Sequence, residues 1–185
     1  MSSLGTRLSW LFPVCSLLIG VAMNAVAADR PSSPLQAVDV LTRVKDEGAK
    51  AVAEELWKEN DTWNEVMTNV GRGDPQWLKV AASLRPGTDG GAAEMLDEAV
   101  FLALKPAPLA VLNLLKSHEF ETTSVCSSNV GADYPAAKSR RFIALRIKVL
   151  ESVSEPTVRE MRDQCLAGLR AALRDFAPSP KGHSG

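Results

Sequence analysis

The chain has 185 residues, of which 45% are hydrophobic and 23% charged, and its formal net charge at pH 7 is −1. This length predicts a single folded domain. The near balance of 21 basic and 22 acidic side chains argues against the positive surface of a nucleic-acid-binding protein, so we expect no nucleic-acid partner.

Residues 1–27 have the three parts of a secretory signal peptide. Arg7 is the only charged side chain before Asp29, an apolar run occupies 8–23, and an A-x-A cleavage pattern lies at 25–27. The alternative is a membrane anchor, but the run has 16 residues where a span needs about 20. We therefore expect cleavage after Ala27, a periplasmic or secreted protein, and no stable membrane span after cleavage.

Removing 27 residues from 185 leaves a mature chain of 158 residues. In it we predict a flexible lead-in at 28–34, a helical domain at 35–177 and a disordered tail at 178–185. Apolar residues recur every three or four positions through most of the domain, and Gly or Pro separates the periodic stretches. The pattern predicts an all-α fold of seven or eight short helices that pack as antiparallel hairpins.

The first helical stretch begins near Leu35. Asp46-Glu47-Gly48 interrupts it, so the pattern fits either one bent helix or two helices. The next helix is expected to have Asp61 as its N-cap and to end at Gly71. The residues predicted to be buried here are Ala37, Val38, Leu41, Val44, Val52, Ala53, Leu56, Trp57, Trp63, Val66, Met67 and Val70.

The start signals in the middle of the chain are stronger. Asp74-Pro75 combines a capping side chain with a proline that fits the first helical turn. Thr88 or Asp89 is expected to cap the following helix, and the prolines of 105–108 break it. The stretch 109–115 is nearly all aliphatic, which predicts a short helix in the centre of the core.

The last third of the chain contains one ambiguous stretch. Residues 118–134 are polar and are predicted to form a loop. The apolar positions of 141–150 fit a strand as well as a helix, and we favour a helix because no partner strand is evident nearby. Glu155-Pro156 starts the clearest helix, whose apolar stripe includes Cys165.

Cys126 and Cys165 are the cysteines that remain after cleavage. Export places them in an oxidising compartment, where a disulfide is expected. It would close a loop of about 40 residues and stabilise the fold by about 4 kcal/mol in the chain-entropy estimate. The alternative is a reactive thiol, with His118 and His183 as the only candidate histidine partners. So few ligands predict no metal site, and we expect no cofactor.

The middle third of the chain also resembles a known group of proteins. The motifs "WLKVAASL", "GTDGGAAEMLDEA" and "KPAPLAVLNLL" between Trp77 and Leu115 look like those of small exported helical proteins of Gram-negative bacteria, which are largely uncharacterised. Their hairpins are similar to HEAT-type repeats, so the resemblance implies a HEAT-like hairpin array. These are scaffold motifs, and the resemblance implies no catalytic activity.

Basic residues near the ambiguous stretch form the candidate partner-binding patch. They are spread around a predicted helix and are either a solvated outer face or a docking patch for an acidic partner, lipid head groups or a wall polymer. The tryptophans at 57, 63 and 77 present a similar choice between core packing and interface anchoring. The residues of the patch are Lys138, Arg140, Arg141, Arg146 and Lys148.

The favoured function is an exported, non-catalytic helical binding protein with a protein partner in the periplasm. One version is an immunity or inhibitor protein that blocks a periplasmic toxin. An alternative is a cell-envelope glycan hydrolase using two of Glu94, Asp97 and Glu98, which share one helix and otherwise form a solvated face. A third hypothesis is a small-ligand carrier with a pocket beside 109–115.

Overall fold

The computed structural model describes residues 34–127 and 135–176 of the chain. Every regular element in these two ranges is helical, and none is a strand. Two 3-10 turns, Arg85–Gly87 and Pro156–Val158, accompany the α-helices. The α-helices are α1 Ala37–Glu47, α2 Ala49–Lys58, α3 Asn60–Gly71, α4 Pro75–Leu84, α5 Gly90–Ala103, α6 Pro108–Lys116, α7 Thr122–Val125, α8 Ala136–Glu151 and α9 Arg159–Asp175.

The prediction of an all-α domain is confirmed, with small differences in the helix count and bounds. The described residues hold nine α-helices where seven or eight were expected, because the first stretch divides into α1 and α2 and the one-turn α7 lies within the predicted loop. The predicted signal peptide at 1–27, the lead-in up to residue 33 and the tail at 178–185 lie outside the described residues.

Gly48 decides between one bent helix and two at the start of the domain. Its φ of 89° lies in the left-handed region, and residues that have a Cβ rarely adopt such a backbone conformation. The N–H of Gly48 still donates to the carbonyl of Val44, which closes α1, and α2 begins at the next residue. The two-helix alternative is therefore correct.

The start signals of the later helices differ in how well they predict the structure. Asp74 caps α4 as predicted, since its Oδ1 accepts from the backbone N–H of Gln76 at 2.8 Å and of Trp77 at 3.2 Å. Asp61 is not an N-cap: α3 begins one residue earlier, and Asp61 lies in its first turn. Asp89 occupies the N-cap position of α5, but its side chain does not cap the helix.

The ambiguous stretch 141–150 is helical and lies within α8. α8 packs against the antiparallel neighbour α9, and its buried face includes Ile143, Ile147 and Leu150. These residues are four and three positions apart, as expected for one face of a helix, so the helical interpretation of the sequence pattern is correct.

α4 lies in the centre of the domain, where it packs against α1, α2, α3, α5 and α6. The aliphatic helix α6 also belongs to the core, as predicted, through Val111, Leu112 and Leu115, although Leu109 is exposed.

Two residues predicted to be buried are not: Val38 is 67% exposed and Trp57 is 40% exposed. Both lie at the border of an apolar stripe, where a small error in helix orientation changes the exposure.

The predicted disulfide joins Cys126, at the end of α7, to Cys165 in α9. Their Cα atoms are 5.1 Å apart, and 39 positions separate them in the chain. The next turn of α9 makes a close approach at Gly168, where an added Cβ would lie 2.3 Å from the carbonyl oxygen of Cys126. The disulfide and this backbone contact together fasten α7 to the last helix.

Candidate partner-binding surface

Arg146 does not belong to the predicted docking patch, because it is only 4% exposed. Its Nε donates to the carbonyl of Phe101 at 2.7 Å, its Nη2 to that of Leu102 at 3.2 Å and its Nη1 to that of Phe142 at 3.0 Å. The guanidinium also lies 4.2 Å from the centre of the Phe101 ring. Burial lowers the pKa of Arg146 to about 10. The sequence-based assignment of Arg146 to a partner is thus corrected.

Arg146 instead attaches α8 to the C-terminal end of α5. Phe101 and Leu102 belong to the last turn of α5, whose carbonyl groups have a partial negative charge. A cation is favourable at this end of a helix, and three carbonyl contacts from one guanidinium fix the position of α8. The role of Arg146 is structural.

Arg140 is also held by the fold, since its Nη1 donates to the carbonyl of Phe176 at 3.0 Å, just beyond α9. The three other basic residues of the patch are exposed and lie on the outward side of α8. They were expected to be spread around the helix with the rest. We call Lys138, Arg141 and Lys148 the basic stripe.

The basic stripe extends from position 138 to position 148 of α8, which is about 15 Å along the helix axis. Small side chains surround it, with exposed alanines at 137 and 144. The ammonium of Lys138 lies 5.5 Å from the centre of the Phe142 ring. Among the described residues, no carboxylate lies within ion-pair distance of Arg141 or Lys148, and the single acid of α8, Glu151, pairs with Arg170 of α9 at 2.7 Å. The outward side of α8 is therefore positively charged.

The three carboxylates of α5 differ in their surroundings. Asp97 is buried and pairs with Arg85, with 3.3 Å between Oδ1 and Nε and 3.5 Å between Oδ2 and Nη2. Burial raises the pKa of Asp97, and Arg85 opposes this effect. Glu94 is exposed and Glu98 is half-buried, facing α3. The expectation of one solvated face was wrong for Asp97, which joins the turn after α4 to the middle of α5.

The tryptophans divide between the core and the surface. Trp63 and Trp77 are buried, whereas Trp57 is partly exposed and meets the Trp63 ring edge to face, with 5.7 Å between ring centres. Trp57 and the first turn of α5 line a recess of about 140 Å³. This recess differs from the pocket beside 109–115 that the carrier hypothesis expects, where α6 uses Val111, Leu112 and Leu115 for core packing.

No group of three or more His, Cys, Asp or Glu side chains in the described ranges is placed to hold a metal ion. None of the helices in the same ranges has both the length and the apolar composition that crossing a membrane requires. Comparison of the chain with protein-family models, with curated proteins and with solved structures gives no match. The surface itself is therefore the basis for a functional proposal.

Proposed function

We propose that this protein is an exported, non-catalytic binding protein that captures an acidic protein surface through the basic stripe on α8. The observation that supports it most is the outward placement of Lys138, Arg141 and Lys148 with no acidic side chain paired to Arg141 or Lys148 in the described chain. An immunity or inhibitor protein against a periplasmic toxin is one concrete form of this function.

Exposed cations of this kind contribute mainly to the rate and specificity of association. They attract a partner of opposite charge during diffusion and disfavour partners of the same charge. Because α8 is fixed to α5 by Arg146 and to α9 by packing, the backbone from which the three charges project is held in place. Binding then costs conformational entropy in the Lys and Arg side chains but requires no ordering of the backbone.

Export is supported by the signal-peptide pattern at 1–27 and by the disulfide, since disulfides persist in oxidising compartments. The HEAT-like arrangement is supported by the packing of α1 on α2, α2 on α3 and α3 on α4, each helix on its successor in the chain.

The test is affinity capture from periplasmic extract with two matched variants. Arg141→Glu/Lys148→Glu reverses two charges of the basic stripe, and Arg159→Glu/Arg174→Glu makes the same net change at exposed positions of α9. We expect the wild type and the α9 variant to retain one specific protein and the stripe variant to lose it. Equal retention by both variants, or no specific protein at all, would contradict the proposal.

A cell-envelope glycan hydrolase is the second candidate, because Glu98 is half-buried in a groove rather than fully solvated. Such an enzyme needs two carboxylates at a suitable separation, and Glu94 is the other available acid of α5. Turnover of purified peptidoglycan that disappears in Glu98→Gln would establish this activity. A wild-type protein without turnover removes it.

A further inference from the structure

A groove of about 320 Å³ runs between α3 and α5. The two helices lie side by side in the same direction. Near their ends, a Cβ on Gly71 would lie 3.4 Å from Leu102, and near the start of α5 a Cβ on Gly91 would lie 3.4 Å from the ring of Trp57, in the last turn of α2 just before α3. The residues of α5 that line the groove, from Met95 to Leu102, extend about 10 Å along the helix axis.

The floor of the groove is apolar and rich in methionine. Met67 is 8% exposed, Met95 and Leu102 are half-buried, and Ala99 lies between them. Methionine is flexible and polarisable, so a surface of this kind can adapt to the side chains of a partner. The floor therefore suits an apolar stripe rather than a single small polar ligand.

The walls of the groove contain one lining carboxylate, Glu98, and α3 and α5 together contain five carboxylates and no Lys or Arg. Two of the five are used within the fold: Asp97 pairs with Arg85, and Glu65 accepts the backbone N–H of Leu35 at 3.1 Å. Asp61, Glu94 and Glu98 remain, and no ion pair involves any of them in the described residues. A partner helix that lies in the groove meets Glu98 directly, with Glu94 one turn earlier on α5 and Asp61 one turn before the lining residue Asn64 on α3.

We propose that this groove binds the apolar stripe of a cationic amphipathic helix, with the Lys or Arg side chains of that helix facing Glu94, Glu98 and Asp61. Helix-in-groove binding uses apolar anchors at helical spacing, and the acidic walls select basic flanks. The groove shares no residue with the basic stripe. It is a second surface, which prefers a cationic partner where the basic stripe prefers an acidic one, and it does not rest on the function proposed above.

The test uses the methionines as reporters. The full chain is exported, purified from the periplasm with ¹³C-labelled methionine methyl groups, and assigned with Met→Leu variants. Met67 and Met95 lie in the groove, whereas Met161 lies in α9 near Thr122 and is an internal control. The probe is a designed 14-residue Leu/Lys amphipathic helix, and its Leu/Glu counterpart has the same apolar stripe with the opposite charge.

We expect the Leu/Lys helix to shift the Met67 and Met95 signals, to leave Met161 unchanged, and to bind more tightly than the Leu/Glu helix. Glu94→Lys/Glu98→Lys should weaken binding about tenfold, since each rim charge contributes modestly. The matched variant Glu119→Lys/Glu160→Lys reverses two exposed acids outside the groove and should bind as the wild type does. An unchanged Met161 signal verifies folding of each variant.

Three results would overturn the proposal: unmoved Met67 and Met95 signals, equal effects of the two peptides, or equal weakening by both charge-reversed variants. Shifts of all three methionines to the same degree also count against it, because they indicate adsorption rather than docking in the groove.

Discussion

Replacement of Arg146 tests whether a buried guanidinium holds α8 in place. Arg146→Met keeps much of the side-chain volume and removes three hydrogen bonds to carbonyl oxygens. Hydrogen bonds to charged groups contribute about 2 kcal/mol each, so their loss costs about 6 kcal/mol. These values are already net of desolvation, which is the effect that lowers the pKa of Arg146 to about 10.

Because the three bonds share one side chain, their contributions need not add, and we predict that Arg146→Met lowers the free energy of unfolding by about 3 to 6 kcal/mol. The cost does not grow further, because the carbonyls of Phe101 and Leu102 also accept the N–H groups of Leu104 and Lys105. Arg146→Ala should cost about 2 kcal/mol more, since it also removes the aliphatic stem and leaves a cavity at this buried position.

Urea unfolding followed by circular dichroism measures both values with the disulfide intact. Arg141→Met is the matched control on the exposed side of the same helix and should change stability by less than about 0.5 kcal/mol. An Arg146→Met protein as stable as the wild type would refute the reasoning, because the free-energy cost of desolvating the guanidinium would then equal or exceed the stabilisation from its hydrogen bonds.

Three further predictions concern the rest of the fold. Cys126→Ser/Cys165→Ser should lower the free energy of unfolding by about 4 kcal/mol, and an unchanged urea midpoint would show that the disulfide does not stabilise the domain. Gly168→Ala should lower the free energy of unfolding, measured by thermal denaturation, by about 2 kcal/mol, because the added Cβ would contact the carbonyl oxygen of Cys126. Gly91→Ala is the control and should not destabilise the fold, because its added Cβ would lie 3.4 Å from the Trp57 ring. Asp97 has a raised pKa in the folded state, so its contribution to stability falls as pH rises above the ordinary Asp value. The stability of Asp97→Asn relative to the wild type should therefore increase from about pH 4 to about pH 7, and a constant difference would contradict this.

The local features of the fold could be predicted from the sequence because their causes are local. Asp74-Pro75 places a cap and a compatible proline at adjacent positions, and the structure has the helix start that this pair predicts. The disulfide was predicted from the expected export and cleavage after Ala27, which would leave Cys126 and Cys165 as the two cysteines of the mature chain, and the structure confirms the bond. Gly48 marked the break between α1 and α2, although the pattern alone did not separate a bend from two helices.

The residues that were misplaced depend on distant partners. Arg146 binds carbonyls 44 and 45 positions earlier in the chain, and no pattern within α8 distinguishes it from Arg141. Asp97 pairs with Arg85, which lies in the turn between α4 and α5, so the burial of Asp97 depends on how these two helices pack. The absence of Lys and Arg from α3 and α5 was visible in the sequence, but only the structure brings these helices together as walls of one groove.

Lysine footprinting of the captured complex tests the central proposal, recognition through the basic stripe, most directly. Acetylation rates are measured for the free protein and for the protein bound to its periplasmic partner, with Lys45 and Lys58 as exposed references on α1 and α2. We predict that Lys138 and Lys148 become protected in the complex while Lys45 and Lys58 react as before. Equal reactivity of Lys138 and Lys148 in the free and bound protein would contradict a binding role for α8.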